Sequence, residues 1–152
     1  MPAQVIDTPA GPILIVESDG KIAEIHFVTN FEGKNDGSAL LRMAAAQIHE
    51  YFAGRRRVFD LPLLRARTHF QARVRMAMQE IPYGQTRSYG ELAHSAGGAP
   101  RAIGQACGAN PLPLVVACHR VVATNGLGGY SGGKGLATKR LLLAIEGNAI
   151  AG

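Results

Sequence analysis

Hydrophobic and polar residues alternate at the start of the chain and then change to a helical spacing. Residues 3–8 alternate weakly as a strand, and Gly11-Pro12 marks a turn. Ile13 to Glu17 and Ile22 to Val28 alternate more firmly on either side of Ser18-Asp19-Gly20, a hairpin signal. Three strands in this order predict an antiparallel meander. Residues 29–37 read as loop. Ser38 is suited to cap a helix in which Leu41, Ala44, Ala45, Ile48, Tyr51 and Phe52 share one apolar face. Gly54 ends that helix. Arg55-Arg56-Arg57 then form a charge cluster at its C-terminus, where cations are favoured. Residues 58–67 read as an extended linker containing Pro62, with a domain boundary near Arg67.

Beyond that boundary the pattern is helical. Thr68-His69-Phe70-Gln71 fits a capping box, and Phe70, Val74, Ala77, Met78 and Ile81 form an apolar stripe that Pro82-Tyr83-Gly84 stops. Ser88-Tyr89-Gly90-Glu91 is a second capping box, opening a short helix that Gly97-Gly98 breaks. Pro100 suits the first position of another, with Ile103, Ala106 and Cys107 on one side. Two short helices across a glycine turn fit a helix-turn-helix or a generic αα-hairpin. The second carries a single charge, Arg101, and the small residues Ala102, Gly104, Ala106 and Gly108, which permit close approach to a duplex. Asn125-Gly126 is a hairpin signal, and residues 127–133 form a glycine-rich loop without the lysine-serine ending of a P-loop. Leu136, Arg140, Leu141, Leu142 and Ile145 predict a last helix, closed by Gly147.

The apolar run Leu112 to Ala117 predicts a strand-like entry to Cys118, with His119 directly behind it. Burial opposes ionisation of a thiol, so a buried cysteine that reacts needs a base, and His119 is the nearest candidate. Neighbouring strand residues point to opposite faces, so contact between the two requires a turn there. Read alone, the pair is equally a core cysteine beside an unrelated histidine. The chain has two cysteines, Cys107 and Cys118, and five scattered histidines. No Cys-x-x-Cys or paired-histidine spacing offers a metal site. Cys107 reads as a small core residue. A lone reactive thiol fits a reducing, cytoplasmic compartment. No signal-peptide pattern occurs, and no apolar run approaches the ~20 residues of a membrane span.

The formal net charge is +5, and its location matters more than its size. Residues 92–145 hold Arg101, Arg120, Lys134, Lys139 and Arg140 and no acid; Glu146 is the last charge in the chain. Such a segment attracts polyanions, nucleic acid above all, although a solvated basic face would look the same.

Taken together, several stretches resemble one family. They are Ile81-Pro82-Tyr83-Gly84 with Ser88-Tyr89, Arg101-Ala102-Ile103-Gly104, Asn110-Pro111, Cys118-His119-Arg120-Val121-Val122, Gly129-Tyr130-Ser131-Gly132-Gly133 and Ile145-Glu146-Gly147. In order and spacing they are similar to the methylated-DNA–protein-cysteine methyltransferases, or O6-alkylguanine-DNA alkyltransferases. The strong match runs from about Phe70 to Gly147; the first 67 residues match in general layout. The resemblance implies a ribonuclease H-like α/β domain over residues 1–67, with a small antiparallel sheet and a helix. It further implies a mostly α, winged helix-turn-helix domain over 68–152 that binds DNA and accepts the alkyl group. Cys118 would be the acceptor, His119 its base through a water, and Glu146 the residue that orients the imidazole. Asn110 would hold the turn that presents the thiol. Tyr89 would contact the flipped nucleotide and Arg101 would fill the gap left in the stack, with Ala102 and Gly104 against the minor groove. The Cys118 and Val121 carbonyls would accept from the guanine amine. The Ser131 N–H would face O6, with Tyr130 and Gly132 shaping the pocket.

The implied partner is double-stranded DNA containing O6-alkylguanine, with O4-alkylthymine as a second substrate. No cofactor, metal or membrane is implied, and the protein would act as a monomer. One departure stands out: Ala117 occupies the position before the cysteine where the family usually has proline. The zinc ligands of some animal members have no counterpart set. The alternatives are a protein that binds alkylated DNA without transfer, whose relatives replace the acceptor cysteine, and a Cys-His-Glu hydrolase.

Overall fold

The computed structural model describes residues 1–30, 35, 37–130 and 132–148. The chain divides into two compact units, Met1–Leu64 and Arg65–Gly152. In the first, β1 (Ala3–Ile6), β2 (Ile13–Ser18) and β3 (Lys21–Phe27) form an antiparallel sheet in that order. The β2–β3 hairpin turns on Asp19 and Gly20, both with positive φ (54° and 71°). This is the conformation a tight hairpin needs and that Asp and Gly tolerate best. Helix α1 (Ala39–Phe52) packs against β2 and β3. Its N-terminus is capped by Ser38, whose Oγ accepts from the Leu41 amide at 3.1 Å. The buried positions are Leu41, Ala44, Ala45, Gln47, Ile48 and Tyr51, with Phe52 half-buried.

The segment after α1 is extended, as its composition suggests, but it is no free linker. Ile22 N donates to Pro62 O at 2.8 Å and Leu64 N to Ile22 O at 2.9 Å, so it pairs with β3. Buried Gln47 clamps the same segment through both halves of its amide, to Asp60 N (2.9 Å) and Asp60 O (3.0 Å). Most of the expected 29–37 loop lies outside the described residues.

In the second unit α2 (His69–Gln79), α3 (Tyr89–Ala96) and α4 (Pro100–Gly108) pack on one another. Thr68 caps α2 by accepting from Gln71 N, and Ser88 and Glu91 form the full capping box that starts α3. Pro100 takes the first turn of α4. Two short strands absent from the sequence reading, β4 (Arg87–Ser88) and β5 (Val121–Val122), pair in parallel. They tie the start of α3 to the residues just after the Cys-His pair. Helix α5 (Leu136–Ile145) buries Thr138, Lys139, Leu142 and Leu143. Of the expected stripe Leu142 is buried and Leu141 and Ile145 are half-buried, whereas Leu136 and Arg140 face solvent.

The expected strand before Cys118 does not form. Pro111 and Pro113 have no amide to give a ladder, and the run instead winds through tight turns. Val116 N donates to Leu112 O (2.8 Å), and Leu114 adopts a positive φ of 76°. Ala117 (φ −78°, ψ 68°) makes an inverse γ-turn, closed by Cys118 N to Val116 O at 2.8 Å. Cys118–Arg120 is then a single 3₁₀ turn, so the Cys-His pair does not lie on a strand.

Candidate active site

Asn110 organises the presenting loop. Its Nδ2 donates to Val116 O (3.0 Å) and its Oδ1 accepts from Leu112 N (3.1 Å), so one side chain pins both ends of the winding run. Cys118, 8% exposed, emerges at the wall of a cavity of about 350 Å³. Tyr89, Gly104, Cys107, Asn110, Tyr130 and Gly132 also line it. Burial pushes the Cys118 thiol up; the Asn110 side chain, the Lys139 charge, its own backbone N–H and the Tyr130 hydroxyl pull it back. Burial likewise raises Tyr130 and Tyr89, so both phenols are neutral donors at ordinary pH.

Behind the cysteine, His119 is 0% exposed. Its Nε2 meets Glu146 Oε2 at 2.7 Å. A carboxylate only accepts, so Nε2 carries the proton and Nδ1 of the neutral ring is left with a lone pair. Nδ1 is buried and has no hydrogen-bond partner among the described residues. Burial lowers the His119 pKa and the Glu146 carboxylate opposes the shift. The balance favours a neutral imidazole, an unused base held in one tautomer. Glu146 is in turn held by Arg120, through Nε to Oε1 (2.8 Å) and Nη2 to Oε2 (3.1 Å), and by the Gly84 amide at 3.1 Å. Arg120 Nη1 donates to Ile81 O at 2.9 Å. The fork geometry of guanidinium on carboxylate is the strong form of such a pair.

Tyr89 starts α3 directly after β4, which places it beside the cavity. Its ring lies against Gly128, where a Cβ would sit 2.8 Å from Cε2 and 3.0 Å from the hydroxyl. Gly128 also has a positive φ of 72°, so both space and backbone call for glycine. Arg101 is exposed on α4, and Ala102 is half-buried on the same turn. Gly104 lines the cavity. The Val121 carbonyl already accepts from Lys139 Nζ at 2.7 Å; one lone pair remains to it. Ser131 lies outside the described residues.

Sequence reading gave Arg120, Lys139 and Cys107 no place in the site. Arg120 and Lys139 counted towards a basic face, yet both are buried, and of that segment's cations Arg101, Lys134 and Arg140 are exposed. Cys107, read as a core residue, is half-buried and lines the cavity. For Lys139 a signal was present: it stands three residues before Leu142 on an otherwise apolar helix face. No group of three or more metal-ligating side chains occurs among the described residues.

A cysteine on a cavity wall and, next to it in the chain, a buried histidine paired with a carboxylate are the parts that thiol chemistry needs. The family described as "6-O-methylguanine DNA methyltransferase, ribonuclease-like domain" matches residues 1–64, and its "DNA binding domain" matches residues 69–148. The chain is 38% identical to the methylated-DNA–protein-cysteine methyltransferase of Methanosarcina acetivorans, covering 95% of this chain and 97% of that one. It is 40% identical to the constitutive enzyme of that name from Bacillus subtilis, covering 92% of each. A crystal structure of Mycobacterium tuberculosis OGT in complex with DNA superposes with a TM-score of 0.84 at 37% identity, over 97% of this chain and 93% of that one. The chain belongs to the methylated-DNA–protein-cysteine methyltransferase family.

Proposed function

We propose that this protein repairs DNA by moving an alkyl group from O6 of guanine, or O4 of thymine, onto Cys118, once per molecule. The observation that carries the reading is Cys118 at the cavity wall with the single-tautomer His119–Glu146 pair buried behind it. His119 Nδ1 takes the thiol proton, through a water. The sulfur attacks the saturated carbon, the S–C bond forms and the C–O bond breaks. The electron pair leaves on the base oxygen, and the proton ends on the base, which stays in the DNA as restored guanine or thymine. Tyr130 and the Ser131 N–H stabilise the charge that develops on the base, and Gly132 leaves room for it. The Cys118 and Val121 carbonyls accept from its exocyclic amine.

A base inside a duplex is out of reach, so the nucleotide must swing out, at a cost of a few kcal/mol. In this reading α3 and α4 act as the helix-turn-helix of a winged domain, with Ala102 and Gly104 close to the minor groove. Tyr89 turns the nucleotide and Arg101 fills its place. Readout in that groove is degenerate, which suits an enzyme that acts wherever the lesion lies. The product is a thioether, which offers water no carbonyl to attack, so the acceptor is spent. The reading needs no cofactor or metal, takes double-stranded DNA as partner, and places a monomer in the cytoplasm.

The test is incubation with a duplex carrying labelled O6-methylguanine. Label should appear on the wild-type protein and not on a Cys118→Ala variant. Label on the variant, or tight binding to the lesion with no label on either protein, overturns the assignment.

A further inference from the structure

The chemistry above leaves one buried charge unused. Lys139 is 0% exposed, and its Nζ donates to the carbonyls of Val121 (2.7 Å), Leu127 and Gly129 (3.0 Å). Three acceptors match the three N–H bonds of an ammonium. No carboxylate pairs with it among the described residues; Glu146 is engaged by Arg120 and His119. The groups that face it are Cys118 on the 3₁₀ turn, Cys107 on α4 and Tyr89 on α3, whose ring centroid lies 6.0 Å from Nζ, with His119 beyond them. All are neutral in the resting protein. Carbonyl dipoles solvate the ammonium, but no full negative charge balances it, and buried charges are ordinarily paired.

The same three bonds serve a second purpose. They fasten residues 127–129 to the start of β5, and this strap carries Gly128 beneath the Tyr89 ring and the Gly129 N–H against its hydroxyl. One side chain thus reaches both the acceptor turn and the wall that seats Tyr89.

We infer that Lys139 is a positioning residue for the acceptor: its ammonium is the counter-charge for the Cys118 thiolate as that forms, and its hydrogen bonds hold the Tyr89 strap. The inference rests on the alkyl-acceptor reading of Cys118, but it is tested separately from it. Burial lowers Lys139 to about 8, while the two thiols facing it act in the opposite sense. The charge is therefore present at neutral pH and lost above it.

The experiment measures two rates on folded protein: methyl transfer from an O6-methylguanine duplex, and alkylation of Cys118 by iodoacetamide, separated from Cys107 by peptide mapping. Lys139→Gln keeps hydrogen-bond donors but removes the charge. Its Cys118 should react about tenfold more slowly at neutral pH, with the pH profile moved up by about one unit, since one unit is tenfold in thiolate. Lys139→Arg should restore the wild-type profile. Wild-type reactivity in Lys139→Gln overturns the counter-charge, and so does equal slowing of both variants with an unmoved profile. Should neither variant fold, the wild type decides: its Cys118 alkylation rate should flatten above about pH 8, where Lys139 loses its proton. A rate that keeps climbing about tenfold per unit there overturns the inference. Iodoacetamide results of the expected kind with no methyl transfer by the wild type would keep Lys139 as the counter-charge of the Cys118 thiolate and remove the alkyl-transfer reading.

Discussion

Replacing Glu146 with Gln tests the proposed role of His119 as base most sharply, because the side chain keeps its shape and changes only its acceptors. In the native protein Oε1 accepts from Arg120 Nε and Gly84 N, and Oε2 accepts from His119 Nε2 and Arg120 Nη2. An amide must turn its NH₂ to one of these sites. Turned to the first, it opposes two N–H donors. Turned to the second, it opposes only Arg120, because His119 can move its proton to Nδ1; this orientation has the fewer opposed donors and is preferred, and it ends that atom's use as a base. Either way a buried Arg120 loses its counter-charge. Breaking a buried pair costs about 3–5 kcal/mol. At about 2–4 °C per kcal/mol for a chain of this size, Tm should fall by roughly 6–20 °C. Loss of a positioned base slows a reaction by about 10²–10⁴. Single-turnover methyl transfer, followed by rapid quench below the variant's melting temperature, measures that factor, and calorimetry measures Tm. A variant that transfers within about threefold of wild type would refute the tautomer argument behind that estimate. A melting temperature within about 2 °C would refute the claim that Arg120 needs this carboxylate.

Other outcomes follow from the same geometry. His119 has a lowered pKa in the folded protein, so the unfolded chain binds more protons as pH falls below its ordinary value of about 6.5. Its contribution is complete above that value and is lost on acidification towards the folded pKa; melting curves of wild type and His119→Gln should converge there, and parallel curves would contradict this. Ala117 has φ −78°, within proline's range, and its amide makes no hydrogen bond among those of the described residues; Ala117→Pro should therefore stabilise by about 0.4–1 kcal/mol, and a lower Tm would show the backbone is not as described. Gly128→Ala should cost about 1–2 kcal/mol from the left-handed backbone alone and slow transfer by displacing Tyr89; an unchanged rate would free Tyr89 from its role. Burial pushes the Cys107 thiol up to about 12, so Cys107→Ala should still accept one methyl group by mass spectrometry, and loss of acceptance would make Cys107 part of the chemistry.

Much of the fold is legible in the sequence, for local reasons. Ser38, Thr68 and Ser88 cap helices because a hydroxyl reaching a third amide is decided within four residues. Asp19-Gly20 turns a hairpin for the same kind of reason. The candidate site's Cys118, His119 and Glu146 are singled out by motif resemblance, not by periodicity. What escaped depends on distant partners. An apolar hexapeptide reads as a strand unless the loss of two amides at Pro111 and Pro113 is counted, together with the capture of its ends by Asn110. Arg120 and Lys139 read as surface charge because nothing local says that Glu146 or three carbonyls wait inside. The pairing of β4 with β5 joins residues more than thirty apart through two residues each, too short for any pattern to announce.

The central claim is that one sulfur accepts one alkyl group and is not regenerated. Its most direct measurement is a titration of the protein with excess O6-methylguanine duplex, read by intact mass and peptide mapping. The account predicts a plateau at a single added methyl group per chain, all of it on Cys118. Methyl groups released to solvent with continuing turnover, or a plateau carried by any other residue, would contradict it.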